Sequence, residues 1–115
     1  MKRFLLIIGF LLIAAPALAA GFSTAIEDLP LMDGMREMVG EEVIFDKPAG
    51  RIVETTVETR ADAPAVLGFY AEALPALGWS AVSNKKFRRG HEELEMTIDR
   101  TGSVTIVHFS LSPRE

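Results

Sequence analysis

Three separate segments with strand patterns most constrain how this chain can fold. Apolar and polar residues alternate through residues 51–59 and 93–99, and residues 104–111 are rich in apolar residues: Val104, Ile106, Val107, Phe109 and Leu111. Each segment can therefore form a strand with one buried face and one solvated face. Only short turns separate the second and third segments. The pattern predicts neighbouring strands of an antiparallel sheet.

A single helix is predicted between the first two of these segments, over residues 63–77. Asp62 offers a capping acceptor, and Pro64 suits the first helical turn. Gly78 supplies the left-handed residue that ends the helix. Apolar residues at three- and four-residue steps form one stripe along it: Val66, Phe69, Tyr70, Ala73, Leu74 and Leu77. We therefore predict an α+β fold, a single antiparallel β-sheet with one main helix packed on one face, in the order β(β)-α-β-β-β.

The remaining segments of the chain are less regular. Val43-Ile44-Phe45 predicts a short strand, closed by a turn over residues 46–50. Residues 79–89 fit either one long bulged strand or a tight hairpin about Asn84-Lys85. Residues 20–42 show no period and are predicted to form an irregular arm, so that the α+β domain spans residues 43–115.

The first 19 residues have the three parts of a secretory signal peptide. Lys2 and Arg3 precede an apolar run from Phe4 to Ala15, and Ala17-Leu18-Ala19 supplies small residues for cleavage. The run is shorter than the roughly 20 residues that a membrane-spanning helix needs. We predict cleavage near Ala19 or Ala20, a periplasmic or secreted location, and no integral membrane segment after cleavage.

Charge and cysteine content exclude several classes of function. The net charge of the 115-residue chain is −4, and loss of Lys2 and Arg3 makes it more negative, which disfavours non-specific binding of nucleic acid. The chain contains no cysteine, which excludes disulfides, thiol catalysis and cysteine–zinc sites.

No catalytic motif is present, and no cofactor is implied. The two histidines, His91 and His108, are interpreted as a turn residue and a half-exposed strand residue rather than as proton-transfer groups. The sequence therefore favours a non-enzymatic protein.

Two groups of residues are candidates for binding. Lys85, Lys86, Arg88 and Arg89 form a basic cluster that can meet an anionic envelope component or an acidic partner. The structural alternative is that a lysine-rich strand protects a sheet edge.

The second group is a run of methionines at three-residue spacing. The thioethers of Met32, Met35 and Met38, with His91 as a fourth donor, can gather around a soft ion such as Cu(I). The alternative is that these methionines fill gaps where the arm packs on the sheet.

The segment from Phe69 to Trp79, which reads F-Y-x3-L-P-x-L-G-W, resembles a helix-to-strand junction in small exported proteins of unknown function from Gram-negative bacteria. Similar residues recur at 29–35, 45–53, 87–89 and 94–98, so the resemblance covers most of the chain after the signal. It implies a single exported α+β domain and carries over no functional residues. We predict a binding module for an envelope component or periplasmic protein partner. A small-ligand or copper-binding protein that uses the methionine arm is the alternative.

The predicted signal peptide is tested by the mass of the exported protein. We expect the protein purified from the periplasmic fraction to begin at Ala20 or Gly21, because the small residues of the cleavage site lie immediately before. Intact-mass spectrometry measures this directly. A full-length mass, found in the membrane fraction, would contradict cleavage.

Overall fold

The computed structural model describes residues 21–114, so the predicted signal peptide lies outside the described residues. The elements in chain order are β1 (Gly21–Phe22), β2 (Pro30–Leu31), β3 (Arg36–Glu37), β4 (Val43–Lys47), β5 (Gly50–Thr59), α1 (Ala63–Ala73), a 3-10 helix (Pro75–Leu77), β6 (Ser80–Ser83), β7 (Lys86–Arg89), β8 (Glu92–Thr101) and β9 (Val104–Pro113).

Seven of the strands form one antiparallel sheet. Its order is β3-β5-β9-β8-β7-β6, and β4 lies beyond β3 along the same edge of β5. The α+β class, the antiparallel pairing and the one main helix are confirmed. Strands β1 and β2 form a second, two-stranded sheet. The prediction of one sheet therefore describes only the larger one.

The helix begins as predicted and ends earlier. The Asp62 carboxylate accepts a hydrogen bond from the Ala65 N–H at 3.0 Å, and Pro64 lies in the first turn. The α-helix ends at Ala73 and continues as the 3-10 helix, because Pro75 has no N–H to donate and its ring crowds the preceding turn. Gly78 then takes a left-handed conformation with φ of 95°.

The residues between the helix and β8 form the hairpin that the sequence left as one of two alternatives. Strands β6 and β7 pair around Asn84-Lys85, and the register shifts between Ala81 and Ser83. The segment therefore combines a tight turn with a bulge.

The core lies on one face of the large sheet, which we call the inner face. Its buried side chains come from β5, β7, β8 and β9, from α1 and the helix end, and from the arm: Val53, Val57, Phe87, Leu94, Met96, Val107, Phe109, Val66, Tyr70, Leu74, Trp79, Ile26, Leu29 and Leu31. The opposite, outer face carries the charged and hydroxyl residues that alternate with them. The predicted arm thus supplies three core residues.

Tyr70 connects the helix, the sheet and the arm. Its ring packs edge-on against Phe109 of β9, with the ring centroids 5.3 Å apart. Its hydroxyl donates to the Pro30 carbonyl at 2.7 Å, and the Met35 sulfur lies 3.4 Å from the Tyr70 hydroxyl oxygen. Burial raises the pKa of the Tyr70 phenol, so the group remains a donor at neutral pH.

We expect Tyr70→Phe to lower the free energy of unfolding by about 1–3 kcal/mol, because the buried Pro30 carbonyl loses its donor. Urea unfolding followed by fluorescence of Trp79, the single tryptophan, measures the change. Val82→Thr, at an exposed position of β6, is the matched control. A Tyr70→Phe protein as stable as the control would contradict the role of this hydrogen bond.

Candidate functional site

The four basic residues predicted to form a binding cluster are divided between two faces of the sheet. Lys86 and Arg88 are alternate residues of β7 on the outer face, and both approach Glu93, at 3.2 Å and 3.8 Å. Lys85 lies in the preceding turn. Arg89 lies on the inner face. The outer face of the sheet therefore carries Lys86 and Arg88, both paired with Glu93, and Lys85 is exposed in the turn beside them.

Arg89 holds β7 against the end of the helix and the arm. Its guanidinium lies 4.5 Å from the centre of the Trp79 ring and donates to the Leu77 carbonyl at 3.0 Å. It also lies 3.8 Å from the Asp28 carboxylate. Strand β7 pairs with both β6 and β8, so protection of a sheet edge does not explain its basic residues.

The methionines of the arm differ in their surroundings. Met32 and Met35 are partly buried against the core, and Met35 contacts the Tyr70 hydroxyl. The Met38 N–H donates to the Thr56 carbonyl at 2.8 Å. His91 is exposed in the turn between β7 and β8. Core packing accounts for Met32 and Met35, and copper binding by the four residues stays a prediction.

His108 lies on the outer face between Thr56 and Asp99. Its Nδ1 is 3.1 Å from the Thr56 hydroxyl, and its Nε2 is 3.7 Å from the Asp99 carboxylate. His108 and Thr56 border a shallow groove of about 260 Å³ that Glu54 and Glu95 also line. The arrangement is a cross-strand contact. In residues 21–114, no group of three or more His, Asp or Glu side chains is placed to hold a metal ion.

The strongest candidate surface is one that sequence reasoning missed, the edge formed by β4. Val43, Ile44 and Phe45 keep 45, 53 and 48% of their surface exposed, and Val39 just before them keeps 91%. In the described chain, β4 pairs only with β5. Its other side therefore offers unpaired backbone groups flanked by apolar side chains. We call residues 39–47 the β4 edge.

The opposite edge of the sheet has a different character. Strand β6 has only four residues, and the bulge between Ala81 and Ser83 interrupts its register. Val82 is its one large exposed apolar residue. Short, bulged strands are poor templates for pairing. The two edges are therefore unequal, and β4 is the one suited to binding another strand.

A protruding loop forms the N-terminal part of the β4 edge. Glu37 lies opposite Val57, and Val43 lies opposite Glu54. Between these two pairs the chain of β3 and β4 advances by six residues, whereas β5 advances by only three. The excess residues form a loop at positions 39–42. Gly40 has φ of 91° and donates its N–H to the Glu42 carboxylate at 2.7 Å.

The carboxylate of Glu37 fixes the base of this edge. It accepts four hydrogen bonds: from the Ser23 hydroxyl at 2.6 Å, the Thr55 hydroxyl at 2.7 Å, and the Thr24 N–H and hydroxyl at 2.8 and 2.9 Å. Burial raises the pKa of the Glu37 carboxyl, but these hydrogen bonds outweigh burial and hold it below its ordinary value of 4.5. The ionised carboxylate thus links the arm, β3 and β5.

Comparison of the chain with protein families, characterised proteins and solved structures found no match. Among the described residues, no helix is long and apolar enough to cross a membrane. The candidate site accordingly depends on geometry and chemistry alone.

We expect Glu37→Gln to destabilise the protein by roughly 1 kcal/mol at pH 7, because the charged acceptor is lost. The folded-state pKa of Glu37 is lowered, so its stabilisation is complete above about pH 4.5 and is lost as the pH falls through the folded-state pKa. Urea unfolding at a series of pH values measures the difference between the two proteins. Glu54→Gln, an exposed change on the same sheet, is the control. A difference that grows on acidification would contradict this assignment.

Proposed function

We propose that the protein is an exported, non-enzymatic binding module that recognises a protein partner by adding a strand to its β4 edge. The single observation that carries this proposal is the exposure of Val43, Ile44 and Phe45 on an edge strand. Among the described strands, β4 pairs only with β5, so its outer side is uncovered. Exposed apolar residues that occur singly need no explanation, but these three are consecutive. Within residues 21–114, four of the seven large exposed apolar residues lie at positions 39–45.

Strand addition uses both kinds of group that this edge presents. The unpaired N–H and C=O groups give hydrogen bonds to any extended chain, and the side chains give preference for particular partners. Val43 and Phe45 lie on the outer face, whereas Ile44 lies on the inner face. Covering their exposed halves contributes about 1 kcal/mol for each side chain. An extended segment with apolar residues on both faces fits this edge best.

Location in the bacterial envelope is part of the proposal and follows from the predicted signal peptide. A protein partner is favoured over an anionic envelope component, because Lys86 and Arg88 already contact Glu93 and Arg89 contacts Asp28. Paired cations offer less attraction to an anionic surface than free ones.

We expect Phe45→Lys to abolish binding of the partner, because a lysine on a sheet edge opposes strand addition. Affinity capture from periplasmic and membrane fractions measures this, with the wild-type protein and each variant as bait. Val82→Lys makes the same change on the β6 edge and should leave binding unchanged.

A double variant, Lys86→Glu with Arg88→Glu, tests the anionic-component alternative in the same experiment. It should retain the partner. A partner that is lost with this double variant and kept with Phe45→Lys would refute recognition by the β4 edge.

A further inference from the structure

We infer that the strand added to the β4 edge comes from a second copy of this chain, so that two β4 strands pair antiparallel about a two-fold axis next to Ile44. This inference rests on the proposed function, because it uses the same edge. Its basis is the self-complementarity of residues 43–47.

Symmetry limits the possible registers. Two identical edge strands that pair antiparallel are related by an axis perpendicular to the sheet, so inner face meets inner face and outer meets outer. A residue can then lie opposite only those residues of the second copy that share its face. Registers centred on Ile44 or on Phe45 satisfy this condition and keep the apolar residues within the pairing.

The register centred on Ile44 matches every apolar residue with another. Ile44 faces its own copy on the inner face, and Val43 faces Phe45 of the second copy on the outer face, twice by symmetry. The register centred on Phe45 instead places Val43 opposite Lys47 and Ile44 opposite Asp46. Cross-strand apolar pairs stabilise a sheet, whereas an apolar residue opposite a charge does not gain this contact. The first register is therefore preferred.

The register centred on Ile44 brings together one favourable and one unfavourable pair of charges, each twice by symmetry. Lys47 falls opposite Glu41 of the second copy, whereas Asp46 falls opposite Glu42. Asp46 lies within 3.5 Å of Arg51 of its own chain. A pairing of five-residue strands buries little area, so we expect a reversible dimer that dissociates on dilution.

Single-cysteine variants test the register, since the chain has no cysteine of its own. Residues directly opposite across antiparallel strands have Cα atoms about 4.5–5.5 Å apart, within reach of a disulfide. The full chain with Ile44→Cys should therefore form a disulfide-linked dimer on mild oxidation. Phe45→Cys should not, because the two Phe45 positions are then diagonal, about 7–8 Å apart. Val82→Cys controls for random collision. Equal cross-linking of all three, or cross-linking of Phe45→Cys alone, would overturn the inference.

Sedimentation velocity over a range of concentrations supplies an independent measurement. The wild-type protein and Val82→Lys should shift from monomer to dimer as concentration rises, and Ile44→Lys should stay monomeric with an unchanged circular dichroism spectrum. A wild-type protein that is monomeric throughout would overturn the inference. The proposed function would still stand if Phe45→Lys abolished capture of a different protein, so the two failures are distinguishable.

Discussion

The mismatch between one short helix and a wide sheet governs the rest of this structure. Strands β5, β8 and β9 have ten residues each, about 33 Å in length, whereas the eleven residues of α1 span about 16 Å. The helix can therefore cover only part of the inner face. In a chain without disulfides, the remaining apolar surface must be covered by further packing. The arm covers part of this surface with Ile26, Leu29 and Leu31. The hydrogen bond from the Tyr70 hydroxyl to the Pro30 carbonyl holds the arm in place. Strand β4 lies outside the area that the helix and the arm cover.

Local patterns account for the elements that sequence reasoning predicted correctly. Alternation marks β5 and β8 because each has a buried and a solvated face, and β9 is marked by its apolar residues and the short turn before it. Asp62, Pro64 and Gly78 act on their immediate neighbours in the chain, so the start and end of the helical region follow from them alone. The divided placement of Lys86, Arg88 and Arg89 follows from a local rule as well, because successive residues of a strand point to opposite faces.

The edge position of β4 and the role of Glu37 could not be predicted, because both depend on contacts between residues far apart in the sequence. Val43-Ile44-Phe45 predicts a short strand, but nothing in three apolar residues shows that the strand lies at an edge. The role of Glu37 is similar: its hydrogen-bond donors are Ser23 and Thr24, which precede it by 14 and 13 residues, and Thr55, which follows it by 18. Its use as an anchor depends on β3 and β5 being paired.

The two sheet edges also determine what kind of assembly the fold permits. If β4 of one copy paired with β6 of the next, each added molecule would leave a new free edge, and the contact would propagate into a fibre. The shortness of β6 and its bulge oppose that contact. Pairing of β4 with β4 uses the same patch on both copies, so it closes at two and leaves the blunted β6 edges and the two-residue strand β3 outside. An exposed apolar edge is a hazard in an open contact, but in a closed two-fold contact it is a recognition surface. The difference between the two edges, rather than the apolar character of either, is therefore the property that makes a defined assembly physically reasonable.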